Sequence, residues 1–300
     1  MPHIQSVLDE PPGAYALLSS CPETDTAFVL VHGFWGDSVS TWQQFQVLMD
    51  QWPLYERSDA YFFDYRAEGN YIGRSAASLK AFLAALYPQP PIRFFEERLE
   101  GVDWAADVKA KKLTIRDEPY HYKRLVLVGH SLGGLVIRKL IIDEMRRSRD
   151  EPATGTASAS VPYPILSADL RLISPAHLGF RPGGPLRALF SLPIGQVLRV
   201  VLSAYRAFTE LSPDSALIKA VKSETESYAA NDPHCALPAL RAKILWADYE
   251  DVVVAGEYAC DAAPQYPLRK TTHIDVVKPT PDYLVPMGFL IEEARSHGQS

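Results

Sequence analysis

The chain has 300 residues, room for one large domain or two small ones, and 47% of them are hydrophobic, ample for a sizeable core. Its 30 basic and 36 acidic side chains leave a net charge of −6. That balance excludes the domain-wide basic footprint of a nucleic-acid-binding protein and leaves little to draw the chain onto an anionic membrane. Proline is unusually frequent, 24 residues or 8% against a usual share of about 5%.

The N-terminal stretch MPHIQSVLDEPPGAYALLSS lacks the basic and long apolar regions of a signal peptide. No stretch reaches the ~18 uncharged apolar residues of a spanning helix; Arg199 and Arg206 interrupt the nearest candidate, Val197 to Phe208. Cys21, Cys235 and Cys260 cannot all pair and show no CxxC spacing, which speaks against a disulfide framework or a cysteine-based zinc site. The expectation is a protein without a membrane span, with free thiols in a reducing, cytoplasmic setting.

In chain order, short continuous apolar runs stand at Ala27–Val31, Tyr61–Phe63, Leu125–Val128, Leu170–Ile173 and Ile244–Trp246. Runs of this kind, rather than alternating ones, fit strands of a parallel sheet covered on both faces. Helix-length segments separate them. Val39–Trp52 places Trp42, Phe45, Leu48 and Met49 on one face; Leu132–Met145 is apolar at its start and meets Arg146 and Arg147 at its end. Strands alternating with helices predict an α/β layer fold. Arg149–Pro164 reads as a surface loop. His177–Leu237 reads as an insertion of two or three helices, with helical spacing at Leu198, Val201, Leu202, Tyr205 and Phe208. Within it, Ser212-Pro213-Asp214 gives a helix-start signal.

The segment LVLVGHSLGGLVIR, residues 125–138, is a strand, a G-x-S-x-G turn and a helix. That order lifts Ser131 above the end of a sheet in a sharp turn, where Gly129 and Gly133 avoid steric conflict around His130 and Ser131. A serine nucleophile needs hydrogen-bond donors for the oxygen that becomes negative in the tetrahedral intermediate. The turn His32-Gly33-Phe34, after an early strand, offers the Phe34 N–H, and Leu132 offers the N–H that follows the nucleophile. His32 reads as a structural hydrogen-bonding residue rather than a base.

With V-H-G near the start and G-H-S-L-G-G in mid-chain, residues 26–290 resemble the α/β-hydrolase superfamily, in its lipase- and esterase-like branches. Ile173-Ser174-Pro175-Ala176-His177-Leu178-Gly179 also resembles the T-P-H-x-G segment of the inositol-deacylase and serine-active-site branch, with a different order around the histidine. The resemblance implies one domain over residues 1–300, with a mostly parallel central sheet flanked by helices and a helical cap over Ser131 made by 177–237. It implies a chain order of Ser, acid, His. The acid would follow the strand at 244–246; because the family's acid commonly precedes x-V-V, Asp251 in Asp251-Val252-Val253 is preferred over Asp248 and then Glu250. Downstream of Asp251 stand only His273 and His297. His297 lies in a polar tail, so His273 is taken as the base, with Asp275 as a helper or a turn residue. His177 and His234 remain as residues that could line the cleft.

The implied activity is hydrolysis of a small, hydrophobic acyl ester through an acyl-enzyme on Ser131, with no metal and no cofactor. Phe34, Trp35 and Trp42 would be aromatic walls of the cleft or simply core, and contact with a lipid surface is an open partner class. Thioesterase, amidase or acyltransferase chemistry on the same residues, or ligand binding without catalysis, are the alternatives that the residues leave open.

Overall fold

The computed structural model describes residues 3–7, 13–19, 21, 23–34, 36–66, 70–90, 121–150, 164–181, 209–232, 234–267 and 269–291. Trp35, most of the loop at 149–164, the helical spacing at 198–208 and His297 lie outside the described residues.

Seven strands form one sheet in the order β1-β2-β4-β3-β5-β6-β7. They are β1 (His3–Val7), β2 (Tyr15–Ser19), β3 (Thr26–Val31), β4 (Ser58–Phe63), β5 (Arg124–His130), β6 (Asp169–Ile173) and β7 (Lys243–Leu245). β1 and β2 are antiparallel to their neighbours; from β4 through β7 every pairing is parallel. The five apolar runs all became parallel strands. The antiparallel pair β1–β2 was not foreseen. Its segments are short and separated by prolines, and its stability comes from pairing with β4 rather than from a local signal.

The reason the runs are continuous is visible in the packing. Along β3, Ala27, Val29 and Val31 enter one core while Phe28 and Leu30 enter the other; along β5, Leu125 and Leu127 oppose Val126 and Val128. Successive side chains point to opposite faces, so a strand buried on both sides must be apolar at every position. One core is covered by α2 (Ile72–Leu86), α3 (Leu132–Asp150) and α4 (Ala216–Ala230). The other is covered by α1 (Phe45–Gln51) and α5 (Val285–Ile291). Trp42, an alternative cleft wall in the sequence, is a core residue set edge-on to Phe45 at 6.5 Å.

α2 was not singled out in the sequence, although Ile72, Ala76, Leu79, Leu83 and Leu86 fall at helical spacing and are all buried. α3 is buried along most of its length; Glu144 near its end is held by Lys80 of α2 and Arg147, each at 2.6 Å. α4 begins at Ala216 with the Ser215 hydroxyl accepting from the Ile218 N–H at 3.2 Å, so Ser215, not Ser212, is the cap. α4 comes from the segment read as a cap, yet Ile218, Val221 and Ala229 pack with α3 in the main core. The described end of the insertion is therefore part of the layer beside the sheet.

No helix among the described residues is long and apolar enough to cross a membrane. All three cysteines are free: Cys21 buried, Cys260 partly buried, Cys235 exposed.

The start of α3 is pressed against the end of β3. A methyl group at Gly133 would collide with the Val31 carbonyl and come within 2.6 Å of the His32 carbonyl oxygen, both rigid backbone. Gly73 in α2 has nothing within 4 Å of the corresponding position. Gly133→Ala is expected to lose about 3 kcal/mol or more of unfolding free energy in urea titration. Gly73→Ala is expected to gain about 0.5–1 kcal/mol, because alanine is the better helix former.

Candidate active site

The parallel strands β3, β5, β6 and β7 end on one edge of the sheet, so the turns that leave them gather there, as ligand sites of such sheets do. Ser131 leaves β5 with φ +52°, in the left-handed region, and α3 begins at the next residue. The turn is fixed from both sides: the Ser131 N–H donates to the Ile173 carbonyl at 3.1 Å, and its carbonyl accepts from Gly134 N–H at 3.1 Å and Ala176 N–H at 2.9 Å. A side chain at Gly129 would stand 2.7 Å from the Gly134 backbone, which closes the turn to anything larger than hydrogen. Ser131 is buried, with 8% of its surface exposed.

The turn after β3 lies directly against the serine. A methyl at Gly33 would come 2.8 Å from the Ser131 Cβ and 3.3 Å from its Oγ. The Gly33 carbonyl is held by His32 Nδ1 at 2.8 Å and by the Gly36 N–H at 3.2 Å. In a planar trans peptide the carbonyl and the next N–H point in opposite directions, so the Phe34 N–H is turned away from His32. His32 itself is fully buried, stacked on Tyr65 and set 3.2 Å from Asp64, which matches the structural role read for it. The Leu132 N–H opens α3, where no intrahelical acceptor exists, and it sits at the positive end of that helix.

His273 is buried, and its Nδ1 lies 2.9 Å from both carboxylate oxygens of Glu250. The carboxylate that meets the histidine is thus Glu250, not the preferred Asp251 and not Asp248. The cause is register. Tyr249 and Thr272 form a parallel bridge, with the Tyr249 N–H donating to the Thr271 carbonyl at 3.0 Å, so the next residues, Glu250 and His273, stand side by side. Glu250 Oε1 then accepts the Val252 and Val253 N–H groups at 3.1 Å each, folding its side chain inward. Val253 is buried and bridged to Phe180, so the Val-Val pair that pointed to Asp251 serves as an anchor of the turn. Asp248 is exposed, and Asp275 closes a local turn through the Thr272 hydroxyl at 2.6 Å.

Burial pushes the Glu250 carboxyl toward holding a proton, but the hydrogen bond and charge of His273, the Ser174 hydroxyl and the Val253 amide outweigh it, leaving its pKa below the ordinary 4.5. Beside His273 lies His130, the residue before the serine. Its Nε2–H donates to the His273 carbonyl at 3.0 Å, and the two rings are 5.0 Å apart. Burial, then the neighbouring His273, holds His130 down to about 3, so it is neutral.

His177 is fully buried. It accepts from Arg138 Nε at 3.1 Å and donates to the Gly256 carbonyl at 2.7 Å; burial, then Arg138, holds it at about 3. Arg138 in turn pairs with Asp261 at 2.6 Å and covers the Tyr258 ring at 4.0 Å. Both members of that pair are fully buried, and neither was singled out in the sequence. His234 is exposed. Among the described residues no group of three or more His, Cys, Asp or Glu side chains is placed to hold a metal ion.

The family model of the alpha/beta hydrolase family matches residues 28–289. No curated protein sequence matches the chain. Among solved structures the chain is similar to the carboxylesterase CesB from Bacillus subtilis, at 15% identity and TM-score 0.45 over 97% of this chain and 92% of that one. It is similar to Est1E from Butyrivibrio proteoclasticus, at 13% identity and TM-score 0.42 over 92% and 91%. It is also similar to the siderophore hydrolase EstB from Aspergillus fumigatus, at 12% identity and TM-score 0.49 over 97% and 95%. The family match runs from within β3 to within α5, across every parallel strand and every turn on the serine's edge of the sheet, and the chain belongs to the alpha/beta hydrolase family.

Proposed function

We propose that the protein is a serine hydrolase that cleaves carboxylic esters through an acyl-enzyme. The observation that carries this reading is the contact of His273 Nδ1 with both oxygens of Glu250, against the turn that holds Ser131. With Nδ1–H donated to Glu250, the lone pair of His273 is on Nε2, the nitrogen a general base needs.

Ser131 Oγ would attack the acyl carbonyl carbon while its proton passes to His273 Nε2. The carbonyl oxygen becomes an oxyanion, for which the Phe34 and Leu132 N–H groups are the candidate donors. Collapse breaks the bond to the leaving alcohol, which takes the proton from His273. Water then attacks the acyl-Ser131 ester, giving its proton to His273, and the serine is restored with release of the acid. Glu250 stays ionised, orients the imidazole and offsets the charge of the imidazolium; it replaces Asp251 in this role.

An uncharged, hydrophobic acyl group is the expected substrate; the exposed apolar side chains of Tyr249 and Ile274, the immediate neighbours of Glu250 and His273, are consistent with it. Part of the segment read as a cap, residues 182–208, lies outside the described residues, so its covering of Ser131 stays within this proposal.

A fluorophosphonate probe is expected to label Ser131, and p-nitrophenyl esters of short and medium acyl length are expected to be hydrolysed; Ser131→Ala should abolish both. Turnover of amides or thioesters with no ester hydrolysed at any chain length would refute the ester reading. Glu250→Gln should lower kcat by about 10³- to 10⁴-fold, while Asp251→Asn stays within about 3-fold of wild type. Equal losses in the two variants would return the acid to an open choice.

The lowered pKa of Glu250 also has a sign for stability. The folded carboxyl binds its proton less readily than the unfolded one, so its contribution is full above the ordinary 4.5 and is lost as pH falls through the lower folded value. Melting temperatures taken across that acidic range should fall less steeply for Glu250→Gln than for the wild type.

A further inference from the structure

The turn after β6 touches both the nucleophile and the acid. Its Ile173 carbonyl and Ala176 N–H hold the two backbone groups of Ser131, at 3.1 and 2.9 Å. Between these anchors stands Ser174, fully buried, with its N–H donating to the Leu245 carbonyl at 2.8 Å. Its φ is +39°, a region that a residue with a side chain enters only under constraint and that gathers at functional sites. The Ala247 N–H donates to Ser174 Oγ at 3.0 Å. A hydroxyl carries one proton, and with an amide filling a lone pair that proton is free to be given away; the Glu250 carboxylate receives it.

We propose that Ser174 is a positioning residue for the acid, its hydroxyl oriented by the Ala247 N–H so that it holds the Glu250 carboxylate against His273. The proposal rests on the reading of Ser131, His273 and Glu250 as one catalytic unit. The Val252 and Val253 amides bind Glu250 from its own turn and move with it. Ser174 binds it from β6, the strand next to the one that carries the nucleophile, and so ties the position of the acid to the position of Ser131. The left-handed backbone is what lets one residue do both, because the same turn that presents the hydroxyl to Glu250 presents Ala176 to the Ser131 carbonyl.

The titratable group facing Glu250 is His273; behind it stands His130, neutral, with Lys278 near enough to act on His130 by charge. The effect of removing the Ser174 proton donor is therefore read at Glu250 and His273. Without that donor the Glu250 carboxylate is a stronger acceptor for the His273 Nδ1–H and steadies the imidazolium more, so the acid limb of activity, which the imidazole sets, moves upward.

The test uses two variants that share the lost hydroxyl and differ in backbone. Ser174→Gly relieves the left-handed φ, and Ser174→Ala keeps it. Both are expected to lose about 10- to 100-fold in kcat on p-nitrophenyl butyrate with KM within about 2-fold, and to show the acid limb of kcat at higher pH. In both, the low-field proton resonance of the His273 Nδ1–H, bonded to Glu250, should shift and should titrate at a higher pH on acidification. Activity that follows folding stability instead, near wild type for Ser174→Gly and impaired for Ser174→Ala, would reduce Ser174 to a backbone device and overturn the proposal. So would a resonance and a pH profile that neither variant moves. A wild type that shows the resonance yet hydrolyses no ester and takes no fluorophosphonate would sink the esterase reading alone, and the resonance of the two variants would still decide the role of Ser174.

Discussion

The close approach of the first turn of α3 to the last residues of β3 is the constraint on which the rest of the site depends. The Val31 and His32 carbonyls leave room at Gly133 for a hydrogen and nothing more. With the helix this close, the Gly33 turn lies directly against the Ser131 Cβ. The His32 imidazole then sets the orientation of the Gly33–Phe34 peptide through the Gly33 carbonyl. A single steric requirement at the crossing of strand and helix thus helps to set where Ser131 stands relative to the Gly33–Phe34 peptide.

Charge is distributed around the site with some economy. His130 and His177 are both held near 3, so His273 is the one histidine among these three whose ring contacts a carboxylate. Had His130 been cationic, it would oppose any positive charge on the ring 5.0 Å away. As a neutral ring it offers one N–H to the His273 carbonyl and fixes the backbone of His273 instead. On the far side of α3, Arg138 and Asp261 are paired out of water and tied to His177, and His177 reaches the chain that returns from Glu250. Such pairs contribute little net stability, but removing one partner leaves an unpaired buried charge that destabilises strongly.

The central sheet and the serine turn were legible because local chemistry dictates them: strands buried on two faces are apolar throughout, and a strained serine turn demands glycine at both flanks. α2 was legible too, at the spacing of Ile72, Ala76, Leu79, Leu83 and Leu86, but carries no capping residue to announce it. The start of α4 was placed too early because Pro213 resembles a first-turn proline, whereas the hydrogen bond to the Ile218 amide comes from Ser215. Which carboxylate meets His273 is not legible for a different reason. Three carboxylates lie within four residues, and the choice among them is made by the pairing of Tyr249 with Thr272, a contact between distant segments that no local pattern encodes. The same holds for Ser174 and for the Arg138–Asp261 pair, whose partners are brought together only by the sheet.

β7 is only three residues long and is the last strand of the sheet; Gln265 pairs with Leu245 along its outer side, and Tyr249 pairs with Thr272 past its end. Ser131 follows β5, which is paired on both sides; Glu250 follows β7, and His273 stands beside it across the Tyr249–Thr272 bridge. Local opening of a folded chain need not involve the whole sheet. Parting of the Tyr249–Thr272 bridge would separate Glu250 from His273 while leaving β5, and the turn that follows it, in place.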